Sequence, residues 1–270
     1  MDRYAQFTTM QFDRPAPHVL RITLDRPDKL NAINRTMHGE LERIWSVIDA
    51  DPEIRCSIIT GSGRAFSVGG DAADLGEVEG RDPAAGFNAD FRSAAALVMN
   101  IIDARKPIVS AINGPAVGAG LAIGLLADIP IAAAEATLVE GHVRMGLAAG
   151  DHAAIIWPLL CGMAKSKYYL LTNARLTGAD AERQNIVALS VPGDELQDKA
   201  VEVASGVAQA APSAVRMTKH VLNHWLRQAR PVFELSLALE LSQMNGGEAA
   251  EAMAAFLERR PAAFPDDSDF

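Results

Sequence analysis

"KPIVSAINGPAVGAGLAIGLLADIPIAA", residues 106–133, is the stretch whose reading decides the fold. Residues 116–134 are long and apolar enough to raise a membrane span, with Asp128 the single charge. Three glycines and Pro130 interrupt the run, and Asp-Ile-Pro splits it. The pattern therefore reads as a strand, "KPIVSAI", a glycine turn, "NGPAVGAG", a buried helix and a second buried strand, "DIPIAA". Strands and helices that alternate in this way imply parallel pairing through right-handed crossovers, so the expected class is α/β.

The flanks agree. In "HVLRITLDRP", Leu20, Ile22 and Leu24 face one way and Arg21, Thr23 and Asp25 the other, which predicts a half-buried strand. Met37, Leu41, Ile44, Trp45 and Ile48 recur at helical spacing after a capping residue, Asn34. "RCSIITGSG" predicts a short strand ending in a glycine turn. Residues 72–90, rich in Gly, Ala and acids, read as a mobile loop. From Asp151 the pattern is mostly helical, with helices expected near 152–160, 164–172, 194–210, 212–228, 231–243 and 246–258. The expected division is a core over residues 1–195 and a helical C-terminal region over 196–270.

The chain has 270 residues, 49% hydrophobic and 22% charged, which suits a packed core and argues against wholesale disorder. A net charge of −9 argues against nucleic acid or an anionic membrane as partner. Cys56 and Cys161 are too few for a disulfide framework and lack metal-site spacing, so no metal is expected and a reduced, cytoplasmic setting fits. "MDRYAQFTTMQF" has no apolar leader core.

Two loops follow buried strands: "TGSGRAFSVGGD", residues 60–71, and "INGPAVGAGLA", residues 112–122. Their small residues allow close approach to backbone, and unpaired N–H groups from two such loops can form an oxyanion hole. Spacing alone favours tight strand–helix packing with no ligand for either loop. Further on, "LVEGHVRMGLAAGDHAAIIWP" holds His142 and, nine residues later, Asp151. A histidine and an aspartate so placed read either as a catalytic pair or as a core histidine and a helix cap.

Together, "ITLDRPDKLNAINRTM", "IITGSGRAFSVGGD", the 106–133 stretch and "FLERRPAAF" resemble the crotonase (enoyl-CoA hydratase/isomerase) superfamily, in order from about residue 19 to 264. The resemblance implies a crotonase-like spiral of ββα units with a helical C-terminal trimerisation region. It implies a homotrimer or a hexamer built as a dimer of trimers. The implied substrate is an acyl-CoA, with coenzyme A brought by the substrate and no separate cofactor. By motif position, the Gly70 and Ala119 N–H groups form the oxyanion hole, Ala119 standing where glycine is usual. Lys29, Ala32, Asp71, Ala72, Ala73 and Arg259 fall at CoA-contacting positions, beside Arg26 and Arg260; a solvated helix end is the other reading of Arg259 and Arg260.

The resemblance also marks a departure. The hydratase glutamates fall at Ala122 and His142, so both are missing. The stretch around His142, Asp151 and "IIWP" most resembles the β-diketone hydrolases, which implies His142 as general base, Asp151 as its partner and a β-dicarbonyl substrate. His38 corresponds to a further histidine, although packing explains it better than a pocket role. Glu240 could reach the pocket, but the sequence favours a place on the surface. Glu140 and Arg144 flank His142 and could tune it if the run is a strand. His152 is a poorer partner than His142, because adjacent helical residues point apart. The expected function is enolate stabilisation on an acyl-CoA. A retro-Claisen C–C hydrolase and an inactive CoA-binding subunit are the alternatives.

Overall fold

The computed structural model describes residues 3–71 and 83–265. The main sheet contains β1 (Met10–Ala16), β2 (Val19–Leu24), β3 (Cys56–Gly61), β4 (Ile108–Ile112), β6 (Ile129–Ala133) and β9 (Leu189–Val191), side by side in that order. β1 and β2 form an antiparallel hairpin, and every other neighbouring pair is parallel. Parallel strands bury both faces, and all of β3 and β4 is buried accordingly. A second, three-stranded sheet joins β5 (Ala116–Val117), β7 (Thr137–Val139) and β8 (Leu176–Thr177) in the order β5-β7-β8.

The 106–133 stretch folds as its spacing predicts: β4, β5, then helix α3 (Ala119–Leu126), then β6. From Gly120 to Leu126 every residue of α3 is buried. Among the described residues no helix is long and apolar enough to cross a membrane. The capping residue expected at Asn34 is present: its side chain accepts from Met37 N at the start of α1 (Arg35–Asp49). Met37, Leu41, Ile44, Trp45 and Ile48 form the buried face of that helix.

Three expectations change. Helix α2 (Pro83–Asp103) already runs through residues 83–90, which the sequence reads as loop. Burial explains the change at its C-terminal half, where Leu97, Val98, Ile101 and Ile102 pack into the core and carry the helix back through its aperiodic, alanine-rich start. The expected boundary at residue 195 falls at the start of α6 (Leu196–Gln209), yet α6 lays Leu196, Ala200, Ala204 and Ala208 onto the main sheet and so completes the core. The helix expected over 212–228 is two, α7 (Pro212–Leu222) and α8 (His224–Gln228). Helix α4 (Ala153–Thr172) follows the expected split, since Gly162 at φ 77° breaks its course. Then come α5 (Gly178–Arg183), α9 (Arg230–Gln243) and α10 (Gly247–Glu258).

Helix α9 matters for the site. Phe233 and Leu237, each 1% exposed, anchor it in the core. Phe233→Ala should lower stability by about 3–5 kcal/mol through lost burial and a residual cavity. Urea unfolding should show a lower midpoint with an unchanged slope; an unchanged midpoint would mean that α9 docks by other contacts.

Candidate functional site

The two glycine loops meet. Ser67 and Ala116 form an isolated parallel bridge, and Val117 N donates to Ser67 O at 3.0 Å. Asn31 ties the first loop from below: its Nδ2 donates to the carbonyls of Ser62 and Ala65, and Ser67 Oγ donates to its own carbonyl. Asn31 sits at φ 56°, a left-handed conformation that asparagine tolerates better than most residues. Gly69 lies so close to the second loop that an ideal Cβ on it would be 3.7 Å from Ala119 N. Gly118 takes the left-handed turn at φ 49°, which leaves Ala119 as the ordinary first residue of α3. Neither Gly70 N nor Ala119 N donates to a backbone carbonyl among the described residues. Among the described residues, two N–H groups without a backbone acceptor thus stand on neighbouring loops.

Beside this turn lies a buried cluster of three carboxyl groups and two imidazoles. β7 ends at Val139, Glu140 follows it, and His142 opens a short 3-10 turn, Val143–Met145. Asp151 and His152 precede α4, and Glu240 comes from α9. His142 Nδ1 lies 2.8 Å from Glu140 Oε1. His142 Nε2 lies 3.3 Å from Glu240 Oε1 and 3.8 Å from Asp151 Oδ2. His152 Nδ1 is 2.5 Å from Asp151 Oδ1, and its Nε2 is 3.7 Å from Glu140 Oε2. Gly150 makes the approach of α9 possible, since a Cβ there would sit 2.4 Å from the Glu240 side chain. Ser236 Oγ on α9 donates to Gly150 O at 2.9 Å. The turn after β5 reaches the same place, with His142 Cε1 3.9 Å from the Cβ position of Gly118.

The charges shift one another strongly. Burial opposes a charged His142 ring, but Asp151 and the contacts to Glu140 and Glu240 outweigh it, and its pKa rises well above the ordinary 6.5. Burial also opposes ionised Asp151, yet His152 and His142 hold it below the usual carboxylate range. His152 rises too, because Asp151 and Glu140 overcome its burial. Glu240 rises for the opposite reason: burial comes first, the nearby acids add to it, and His142 offsets only part. Glu140, Asp151 and His152 bring donor atoms within 4.8 Å of one another, close enough to suggest a metal. However, Asp151 contacts Nδ1 of the His152 ring and Glu140 approaches Nε2. The ring's two lone-pair directions diverge, so this is ring-to-carboxylate pairing rather than convergence on one ion.

The sequence-predicted residues divide clearly. His142 and Asp151 come together, at ion-pair distance, and Glu240 joins them. His38 does not: it is partly exposed on α1, with Nδ1 2.9 Å from Glu42 and near Ser93 on α2. Arg144 faces solvent, because the chain leaves the strand before reaching it. His152 is not helical, with φ −133°, so the argument that adjacent residues diverge does not apply to it. Asp151 is not the cap of α4; its carboxylate accepts from the N–H of His152 and contacts that ring. Arg26 links the first loop, its guanidinium donating to Ala32 O at 2.5 Å and Asp71 Oδ2 at 2.8 Å. Lys29 and Arg259 are exposed, and Ala32 is buried. Ala72 and Ala73 lie outside the described residues. Glu140 and Glu240 were underweighted by the sequence reading. The signal for Glu240 was its spacing from Phe233 and Leu237, which puts a glutamate on the apolar face of its helix.

Residues 15–267 match the family model described as enoyl-CoA hydratase/isomerase. A probable enoyl-CoA hydratase, echA8, of Mycobacterium bovis is 31% identical over 251 residues, covering 90% of this chain and 93% of that protein. The mevalonyl-coenzyme A hydratase sidH of Aspergillus fumigatus is 29% identical over 250 residues, with 91% of each chain covered. The crystal structure of an enoyl-CoA hydratase/isomerase from Mycobacterium paratuberculosis superposes with a TM-score of 0.85 at 32% identity, covering 93% of this chain and 99% of that one.

The raised pKa of His142 has a thermodynamic consequence. A group whose folded pKa lies above its unfolded value adds stability that is complete below the unfolded value, near 6.5, and fades as pH rises through the folded value. The stability deficit of His142→Gln should therefore be largest in mildly acidic solution and shrink as the pH climbs. Urea unfolding across a pH series checks this; a deficit that does not vary with pH would contradict an imidazolium at position 142.

Proposed function

The chain belongs to the enoyl-CoA hydratase/isomerase family, and from that premise we propose that it acts on an acyl-coenzyme A thioester, with the His142–Glu240 pair as acid and base. The observation that carries this reading is the 3.3 Å contact between His142 Nε2 and Glu240 Oε1, beside two unpaired N–H groups. The thioester oxygen accepts from the Gly70 and Ala119 N–H groups, which stabilise the enolate as charge develops on it. Coenzyme A arrives with the substrate, against the loop that Arg26 and Asp71 tie together, with Lys29 and Arg259 as further contacts. No separate cofactor takes part. The names of the relatives, enoyl-CoA and mevalonyl-coenzyme A hydratases, support this substrate class.

The two partners have complementary roles. His142 enters as an imidazolium and donates a proton. Glu240, its pKa raised by burial, accepts one from water. With both histidines charged, two positive rings face three carboxyl groups, and the proton taken up by Glu240 replaces the one His142 gives away, so the charge of the cluster is unchanged. The contact between the pair then returns that proton to His142 and resets the site. Asp151 stabilises both rings from the side opposite Glu140.

A second reading rests on Ala122. It is fully buried and offers no carboxyl group at the position where the resemblance puts a hydratase glutamate. With all acid–base groups in one cluster, C–C hydrolysis fits as well. Water attacks the ketone of a β-keto acyl-CoA or β-diketone while Glu240 takes its proton; the C–C bond breaks, and His142 protonates the enolate.

Turnover should be measured on crotonyl-CoA, a β-keto acyl-CoA and a cyclic β-diketone side by side. Preference for crotonyl-CoA supports hydration, and preference for the β-keto thioester supports cleavage. Glu240→Gln and His142→Ala should each lower kcat by about 10²–10⁴-fold. Millimolar coenzyme A should raise the melting temperature of the native protein. No shift, with turnover of the diketone alone, would overturn the thioester reading.

A further inference from the structure

The assignment above uses His142, Glu240 and Asp151 and leaves Glu140 and His152 without a role. Their burial makes them costly. Glu140 is 3% exposed and His152 0% exposed, and neither carboxylate oxygen of Glu140 nor Nε2 of His152 has a hydrogen-bond partner. An ionised carboxyl group buried in this way needs an opposite charge against it, or it costs several kcal/mol. The two groups supply that charge to each other and to the site.

The contacts close on themselves. His142 Nδ1 meets Glu140 Oε1 at 2.8 Å, and Glu140 Oε2 approaches His152 Nε2 at 3.7 Å. His152 Nδ1 meets Asp151 Oδ1 at 2.5 Å, and Asp151 Oδ2 approaches His142 Nε2 at 3.8 Å. We propose that Glu140 and His152 are positioning residues: with Asp151 they complete a ring of alternating imidazoles and carboxylates that fixes which nitrogen of His142 faces the reacting carbonyl. The inference rests on His142 acting in the site, and it adds what holds His142 there.

The Glu140 carboxylate, 2.8 Å from Nδ1 of His142, holds that nitrogen by charge, which leaves Nε2 for Glu240 and the substrate. His152 keeps Asp151 on its own ring at 2.5 Å and so prevents it from displacing Glu240 at Nε2. The groups facing His142 are Glu140 after β7, Asp151 and His152 before α4, and Glu240 on α9. Helix α3 and strand β5 carry no titratable side chain, and Arg144 in the same turn faces solvent. Helix α10 meets that turn through the Glu248 backbone, against Gly146.

The ring makes two predictions of opposite sign. Glu140→Gln removes a negative neighbour, so the pKa of His142 should fall by about one to three units. His152→Gln removes a positive neighbour and releases Asp151 towards His142, so the pKa should rise. Ring ¹⁵N resonances of labelled protein report both the pKa and the tautomer without any substrate. In turnover, the basic limb of the kcat–pH profile should move the same way in each variant with KM unchanged, and Glu140→Asp should restore part of the native profile. An unmoved His142 titration in both variants would overturn the proposal, as would a stoichiometric divalent cation bound to the purified protein. If Glu140→Gln does not fold, His152→Gln decides alone: no upward shift rejects the ring. Shifted titrations in a protein that turns over none of the substrates would leave the ring standing and reject the proposed function instead.

Discussion

Charge balance in one buried pocket governs the rest of the site. Three carboxyl groups and two imidazoles sit at the junction of β7, the start of α4 and α9. Buried charges are tolerated only when paired, and here each ring is flanked by acids on both nitrogens. The arrangement explains why a glycine stands at 150. Any side chain there would collide with Glu240 and separate the base from His142. It also explains why α9 is anchored by a phenylalanine and a leucine that are almost wholly buried: the helix must hold a carboxylate within about 3 Å of a ring against the cost of desolvating both.

The fold was legible where short-range periodicity determines it. Alternation marked β2, helical spacing and Asn34 marked α1, and the Gly and Pro interruptions of the 106–133 stretch separated a turn, a helix and a strand from a membrane span. The start of α2 was not legible. Its first residues are small and aperiodic, and the helix is held by packing at its other end. The place of α6 in the core escaped for a related reason. A row of alanines and one leucine carries little hydrophobic signal, but small side chains allow a helix to lie close to a sheet.

The site was legible only in part. His142 and Asp151 stood out because they are near in sequence and fall within a recognisable pattern. Glu240 is held by tertiary contact from a distant helix, and only its place on an apolar face hinted at burial. His152 escapes a helical argument, because its backbone at φ −133° lies outside the helix and its ring turns back onto Asp151. His38 shows the converse. It matched a pattern, but it sits one turn before Glu42 on α1 and pairs with it there, away from the cluster.

The division of labour between loops and helices also bears on how such a site can change. The two N–H donors depend on Gly118, Asn31 and the bridge between Ser67 and Ala116, which joins the first glycine loop to β5 of the second sheet. The acid–base carboxylate depends on α9, which reaches the pocket through Ser236 and Gly150. Under the proposed assignment, carbonyl polarisation and proton transfer are therefore carried by separately anchored parts of the chain. A substitution that loosens α9 weakens proton transfer and leaves the N–H donors in place. With Ala122 apolar on α3, the carboxylate supplied from the C-terminal helices can be altered without disturbing the helix that carries an oxyanion donor. Under the proposed assignment, that independence would let one scaffold serve either addition to a double bond or cleavage next to a ketone.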